Sequence, residues 1–134
     1  MTKENGLGAS VAIDNSAGTP ATLSNDITQF ELATPRAVQD VTGVDKFAIE
    51  RLLLLADGSF SPQGVFNDAA TFSHVTLKTI PSTSVLRTVT IGHSGQTLAM
   101  EMLGTDYALT RAATGELTWQ APFVLADGTV PTWS

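Results

Sequence analysis

The residues best suited to proton transfer or metal ligation are two histidines, His74 and His93. His74 is not followed four residues later by another histidine, so the paired-histidine zinc protease pattern fails. His93 lies in Gly92-His93-Ser94-Gly95, which invites comparison with the G-x-S-x-G nucleophile elbow. Position 96 is Gln96, so the second glycine is misplaced and the motif is absent. Both histidines read as structural or solvent-facing. Carboxylates are the next candidates. Asp40 and Asp45 are five apart, as are Glu101 and Asp106. A glycosidase needs two carboxyl groups at a set separation across the sugar, and nothing in this spacing imposes one. Trp119 and Trp133 suggest a sugar-stacking platform, but Trp119 alternates with apolar residues and reads as core. Trp133 reads as an anchor for the carboxyl-terminal tail. No P-loop, dinucleotide glycine motif, calcium loop or zinc cluster is present. No catalytic residue, cofactor or metal is therefore expected, and the chain reads as a non-enzyme.

The bulk composition narrows the remaining classes. A chain of 134 residues suits one domain spanning 1–134 and can bury a core without staples. Hydrophobic residues make up 43%, which excludes the disordered class. Charged residues make up only 15%, against roughly 25% in a typical soluble domain, so much of the surface reads as covered by partners. The net charge is −6, and the seven basic residues are scattered singly from Lys3 to Arg111. No basic patch exists to grip a phosphate backbone; the acidic balance suits a surface that DNA passes without sticking. Cysteine is absent, which excludes disulfides and thiolate metal sites. No apolar run is long enough to span a membrane, and MTKENGLGAS lacks the apolar core of a signal peptide. Folding in a cytoplasm fits these features.

Residues 1–8 are polar and glycine-containing and read as a flexible arm. Ser10–Asp14 alternates around Val11 and Ile13, a short strand; Asn15–Pro20 is a turn. Ala21–Asp26 reads as a short extended piece. Ile27, Phe30 and Leu32 begin an extended run that Pro35 ends, and Ala37–Thr42 continues extended. Asp45–Leu55 fits either helix or strand spacing, and an ordered loop with a helical turn is favoured, Asp45 being its N-cap. Asp57-Gly58 turns the chain into a strand from Ser59 to Phe66. The spacing of Phe72, Val75 and Thr79 predicts a helix over 68–80, capped by Asn67 or Asp68 and stopped by Pro81. A meander follows: Leu86–Ile91, a tight turn at His93-Ser94-Gly95, and Gln96–Leu103 with Leu98, Met100 and Met102 on one face. After Gly104 the apolar parity shifts to Tyr107 and Leu109, which predicts a β-bulge. Beyond the Thr114-Gly115 turn, Leu117, Trp119, Ala121 and Phe123 alternate as one strand. Long antiparallel strands around a single helix indicate a mainly β, α+β architecture. Leu55-Ala56-Asp57-Gly58 and Leu125-Ala126-Asp127-Gly128 echo each other as two Asp-Gly turns.

The most informative stretch is residues 40–67, DVTGVDKFAIERLLLLADGSFSPQGVFN. An Asp40-Val41-Thr42 segment leads to a compact loop with an aliphatic end. A Gly58-Ser59 turn follows, then a strand closing in Gly64-Val65-Phe66. In this order the stretch resembles the middle of the tail tube proteins of long-tailed bacteriophages, and the likeness runs from the first strand to the end of the chain. Relatives often carry a tryptophan in the loop; here Phe47 is the nearest aromatic.

The resemblance implies an antiparallel β-sandwich or small barrel with one flanking helix. Six copies would form a ring, and rings would stack into a hollow tube that delivers DNA. It implies a virion protein of the phage tail, assembled in the host cytoplasm. The partners would be other copies of itself and the tape-measure, tail-tip and tail-terminator proteins, with transient passage of double-stranded DNA and no membrane. The arm and a loop over about 40–58 would carry the contacts, with Asp40, Thr42, Lys46, Phe47, Ile49 and Arg51 at subunit and ring interfaces. Glu31, Asp40, Glu101 and Glu116 would face the bore. Another virion or secretion-tube ring component is an alternative, as is a monomeric β-sandwich that binds carbohydrate.

Overall fold

Alternating apolar side chains build most of this molecule, seen in a computed structural model that describes residues 3–134. Positions 1 and 2 of the expected arm lie outside the described residues. Strand β1 (Ser10–Asp14) turns Val11 and Ile13 inward, and β2 (Pro20–Thr22) pairs back on it. Asn15 stabilises their turn, its Oδ1 accepting from the amides of Ala17 and Thr19. Strand β3 (Ile27–Ala33) runs along β6 (Ser59–Val65) over its whole length. Between them, β4 (Arg36–Asp40) and β5 (Arg51–Ala56) form a separate two-stranded sheet. After a short helix α1 (Ser73–Leu77) come β7 (Arg87–His93) and β8 (Gln96–Gly104). Strands β9 (Ala108–Arg111), β10 (Leu117–Gln120) and β11 (Phe123–Leu125) complete the chain.

The pairings make one nine-stranded antiparallel sheet, curled into a half-barrel. Its concave side holds the core: Phe60, Trp119, Phe123, Leu98 and Met102 are among the fully buried side chains. Burying each of these contributes roughly 1.5–3 kcal/mol. An irregularity interrupts its ladders. Between the pairs Gly104↔Phe123 and Ala108↔Gln120, three residues on one strand face two on the other. This one-residue excess produces the parity shift expected at Gly104 and brings Leu109 opposite Trp119. On the partner side, Pro122 interrupts what the sequence suggested as one strand, separating β10 from β11. It faces β6 where Pro62 also lacks an N–H, so no ladder bond can form from either ring nitrogen. Pro122 instead accepts from the Thr105 amide at 3.0 Å.

The helix is shorter than its periodicity suggests, five residues instead of thirteen. Thr71 sits at φ 66, in the left-handed region, which breaks any helix starting earlier. Asn67 and Asp68 do not cap it; the Asn67 Oδ1 accepts from the Ala69 amide. The first free amide, that of Ser73, is satisfied by Oδ2 of Asp26, 47 residues away, at 3.0 Å. Oδ1 of this buried carboxylate accepts from Asn67 Nδ2 at 3.0 Å. Pro81 does not stop α1 either; it lies inside a 3-10 turn over Ile80–Ser82. At the other end of α1, buried Arg87 donates to the Thr76 and Asp14 carbonyls and to Thr79 Oγ1. Burial lowers the pKa of its guanidinium, opposed by Asp14. The helix is thus pinned in place by two buried polar side chains, Asp26 and Arg87, each hydrogen-bonded.

Two smaller departures follow from tertiary pairing. The residues after Thr22 are a turn in which the Leu23 carbonyl accepts from Asp26 and Ile27, not an extended piece. The expected helical turn in Asp45–Leu55 is absent: residues 41–50 are a loop, and Leu52–Leu55 pair with β4 as a strand.

Asp26→Ala leaves the Ser73 amide and Asn67 side chain without their partner. We expect a loss of about 2–4 kcal/mol, read as a lower urea midpoint at unchanged slope, with Asp26→Asn retaining part of it.

Candidate assembly surfaces

The β4–β5 hairpin leaves the body at the Ala33↔Ser59 end of the β3–β6 pair. Every residue of β4 is exposed, and every residue of β5 but Ala56. Half of the exposed large hydrophobic side chains among the described residues lie here, nine of eighteen, between Val38 and Leu55. Phe47 and Val44, on the loop, touch nothing that shields them. A lone two-stranded ribbon is marginal in water, and a contiguous exposed apolar surface of this kind marks an interaction site.

Local polar contacts give the ribbon its shape. The register slips between Arg36↔Ala56 and Val38↔Leu53, leaving one extra residue on β5. The Arg36 side chain closes that gap, donating twice to the Leu54 carbonyl at 3.2 and 2.8 Å. At the loop, Oδ1 of Asp40 accepts from the Thr42 hydroxyl at 2.6 Å and the Thr42 amide at 3.0 Å. The same hydroxyl accepts from the Glu50 amide at 2.9 Å, so one threonine ties both strands. These bonds lower the Asp40 pKa, the Thr42 hydroxyl being the larger cause. Lys46 lies 3.8 Å from its neighbour Asp45. The structure therefore brings the six expected interface residues, Asp40, Thr42, Lys46, Phe47, Ile49 and Arg51, into one hairpin. Asp40 and Thr42 shape it, and Phe47 and Ile49 present apolar surface.

The second surface is the convex face of the large sheet. Residues pointing away from the core include Thr88 and Thr90 on β7, Glu101 on β8, Gln120 on β10, Ser61 and Gln63 on β6, and Glu31 on β3. No lysine or arginine occupies an outward position on these strands, whereas Asp14, Glu31 and Glu101 do. Composition alone could not show this, because the segregation of charge depends on strand register. Glu31 is exposed. Glu101 is half-buried, accepts from the Thr88 hydroxyl, and shares a small cleft with Asp127 and Thr129. The four expected bore acids do not share one face: Asp40 is on the hairpin, and Glu116 is in the turn before β10.

The other candidates for chemistry are structural. Nδ1 of His74 shares a 3.1 Å hydrogen bond with the Tyr107 hydroxyl, and the His74 ring packs at a tilt against Phe66. Burial raises the Tyr107 pKa. Nε2 of His93 donates to the Asn5 carbonyl at 2.7 Å, tying the arm to the β7–β8 turn. Trp119 is core, its Nε1 donating to the Val65 carbonyl. Trp133 anchors the tail through a backbone bridge to Leu98, with its ring half exposed. No group of acidic and histidine side chains among the described residues could hold a metal ion, and no described helix is long and apolar enough to cross a membrane.

No family profile matches the sequence, and no curated protein matches it. Solved structures do. The chain is similar to a subunit in the tail of an empty gene transfer agent (GTA) particle, computed with helical refinement and C6 symmetry. The two share 20% identity at a TM-score of 0.76, over 98% of this chain and 99% of that one. It is similar also to a subunit in the virion of a native gene transfer agent particle, at 17% identity and a TM-score of 0.76, over 98% and 99% of the two chains. The fold expected from the phage resemblance is therefore the fold present, a tail-tube fold along nearly the whole chain.

The Asp40 contacts generate a pH prediction. A depressed folded pKa contributes stability that is present above the unfolded Asp value of about 3.9 and lost as pH falls through the folded value. Thr42→Val should raise the Asp40 pKa, measured by carboxylate NMR titration, and broaden the Glu50 amide resonance; an unmoved titration would show that Thr42 does not hold the carboxylate.

Proposed function

We propose that this chain is the structural subunit of a virion tail tube, a single domain that assembles with copies of itself into stacked rings, six to a ring, around a bore that conducts double-stranded DNA. The observation that carries this reading is the hairpin: an apolar ribbon, inserted between two strands of a well-packed body, which the described residues leave uncovered. The likeness to tail subunits of gene transfer agent particles, one of them in C6 symmetry, supports the ring and its six-fold order. In this reading Phe47 and Ile49 are buried between copies, and Asp40, Thr42, Lys46 and Arg51 set the shape and polar rim of the contact. The tape-measure, tail-tip and tail-terminator proteins complete the tail, and assembly takes place in the host cytoplasm.

The free edges fit the same reading. Among the described residues strand β3 is paired only with β6, which leaves its other edge open. Natural sheets protect such edges, and closing them against neighbouring copies in a ring is one way to do so. The convex face, with carboxylates, neutral Thr, Ser and Gln and the exposed pair Leu103 and Val124 but no cation on its strands, is the surface suited to a bore. A wall of this sign repels phosphate at short range and offers DNA no ion pair. Glu31 and Glu101 line it directly, with Asp40 and Glu116 nearer its rims. A carbohydrate module is disfavoured because Trp119 is buried and no exposed aromatic row exists among the described residues.

Phe47→Glu should give a folded monomer, within about 0.5 kcal/mol of the parent, that forms no tubes by negative-stain electron microscopy at concentrations where the parent does. Normal tubes from this variant would remove Phe47 from the interface. Glu31→Lys should leave tubes intact but make them retain DNA fragments in a salt-dependent manner; tubes indifferent to DNA would place Glu31 away from the bore.

A further inference from the structure

Of the four asparagines in the chain, only Asn5 is followed by glycine. In such a pair no Cβ shields the amide nitrogen that follows the asparagine side chain. That nitrogen can attack the side-chain carbonyl carbon and close a five-membered imide. The arm holds this pair in an ordered turn. Oδ1 of Asn5 accepts from the Leu7 amide at 3.0 Å, an Asx turn that folds the side chain forward over the Gly6 peptide. The Asn5 main-chain carbonyl accepts from Nε2 of His93 at 2.7 Å. Nδ1 of that ring is buried without a partner, so among the described residues the Asn5 carbonyl is the one group the His93 ring bonds. Asn5 and Gly6 are both exposed, and a Cβ added at Gly6 would meet nothing within 4 Å. Each of the two carbonyls that the imide needs therefore already has a donor, and solvent reaches both.

We propose that Asn5-Gly6 is a self-modification site that passes through a cyclic imide to isoaspartate, with the His93 N–H directing the outcome. In the first step the Gly6 nitrogen gives its proton to solvent base and bonds to Cγ of Asn5. The Cγ–Nδ2 bond breaks and ammonia leaves. Negative charge develops on Oδ1, where the Leu7 amide donates. His93 draws electron density from the carbonyl beside the Gly6 nitrogen, which makes that N–H easier to ionise. In the second step water adds to one of the two imide carbonyls. Addition at Cγ yields aspartate. Addition at the main-chain carbon breaks its bond to the Gly6 nitrogen and yields isoaspartate, with the chain now running through Cγ. On this second route the oxyanion forms on the oxygen that His93 holds, so isoaspartate is favoured. Nothing is oxidised; one water enters and one ammonia leaves.

The product is a different arm. The neutral carbonyl that faces His93 becomes a carboxylate, beside the carboxylate of Glu4. The backbone gains a methylene, and the carbonyl that closed the Leu7 turn becomes part of the main chain. The other asparagines lack this arrangement. Asn15 precedes Ser16 and holds the Ala17 and Thr19 amides, and Asn67 precedes Asp68 and is tied to Asp26. The chemistry needs only the arm and the β7–β8 turn, with or without assembly.

The test follows the full chain in solution at mildly alkaline pH. Cleavage after Lys3 and Arg36 releases one peptide that holds Asn5, Asn15 and Asn25, so two asparagines serve as internal controls for mass spectrometry. Asn5 should convert while Asn15 and Asn25 stay intact, and faster than in a free peptide of residues 3–9. Its isoaspartate share, read with a protein isoaspartyl methyltransferase, should exceed that of the free peptide. His93→Ala should slow conversion about fivefold, the rate equivalent of one exposed hydrogen bond, and return the product ratio to the peptide's value. His93→Gln, which keeps a side-chain donor, should fall between, and Gly6→Ala should all but stop the reaction. A folded chain that stays intact at Asn5 while the peptide converts would overturn the site. Equal rates and product ratios in the parent and both His93 variants would overturn the role of His93.

Discussion

The body depends on one crossing point, where Gly64 lets three segments approach more closely than any side chain would permit. A Cβ at this position would lie 2.1 Å from the Asp26 carbonyl oxygen and 2.9 Å from the Trp119 ring. The space it leaves is used on every side. The Val65 amide donates to the Asp26 carbonyl at 2.9 Å, and the Val65 carbonyl accepts from the Trp119 indole at 2.8 Å. The Asp26 carboxylate then reaches Asn67 and the first amide of α1. The start of β3, the end of β6, the middle of β10 and the helix are thereby locked to one another. Such backbone approach is a role only glycine can fill in a strand.

That rigidity explains how the chain carries an unsupported hairpin. Both strands flanking the insertion, β3 and β6, are held by full-length pairing, so the ribbon leaves from a fixed base. The Asp57 amide donates to the Pro35 carbonyl at 2.9 Å and closes its neck. Within the ribbon, Arg36 fills the slipped register and Thr42 bridges the loop, so its shape is set by short-range polar bonds while its apolar side chains remain free. A protruding element built this way reaches a partner with its backbone already ordered, which reduces the entropic cost of association.

Much of the body was legible in the sequence because period-two alternation reports directly on which residues face a core. Val11 and Ile13, Leu98 to Met102, and Trp119 to Phe123 announced their strands, and the parity shift after Gly104 announced the kink. What stayed hidden was determined by residues distant in the chain. The capping of α1 by Asp26 spans 47 positions and has no local signature; the left-handed Thr71 shortened a helix whose apolar spacing was sound. Leu52–Leu55 read as a loop with a helical turn because four leucines have no parity to report, and only pairing with β4 makes them a strand. The hairpin residues were expected at an interface only by resemblance, from the order of Asp40-Val41-Thr42 and Gly58-Ser59. The cation-free convex face, by contrast, needed the register itself.

Charge distribution is the final constraint on what such a molecule can be. A net charge of −6 is large for a chain with so few ionisable groups, and it disfavours contacts that bring carboxylate-bearing faces of two copies together. Asp14, Glu31 and Glu101 lie on a sheet face that carries no cation, whereas Asp68 and Glu116 lie in the loops after β6 and before β10 and Asp106 lies at the break between β8 and β9. Half of the large exposed apolar side chains among the described residues lie on the hairpin, where Arg36, Lys46 and Arg51 balance Asp40, Asp45 and Glu50. An isolated soluble monomer gains nothing from separating the two, since scattered charge is what keeps apolar surface from associating. Here the two are separated: apolar exposure is concentrated on a charge-balanced hairpin, and carboxylates lie on a sheet face that carries no cation.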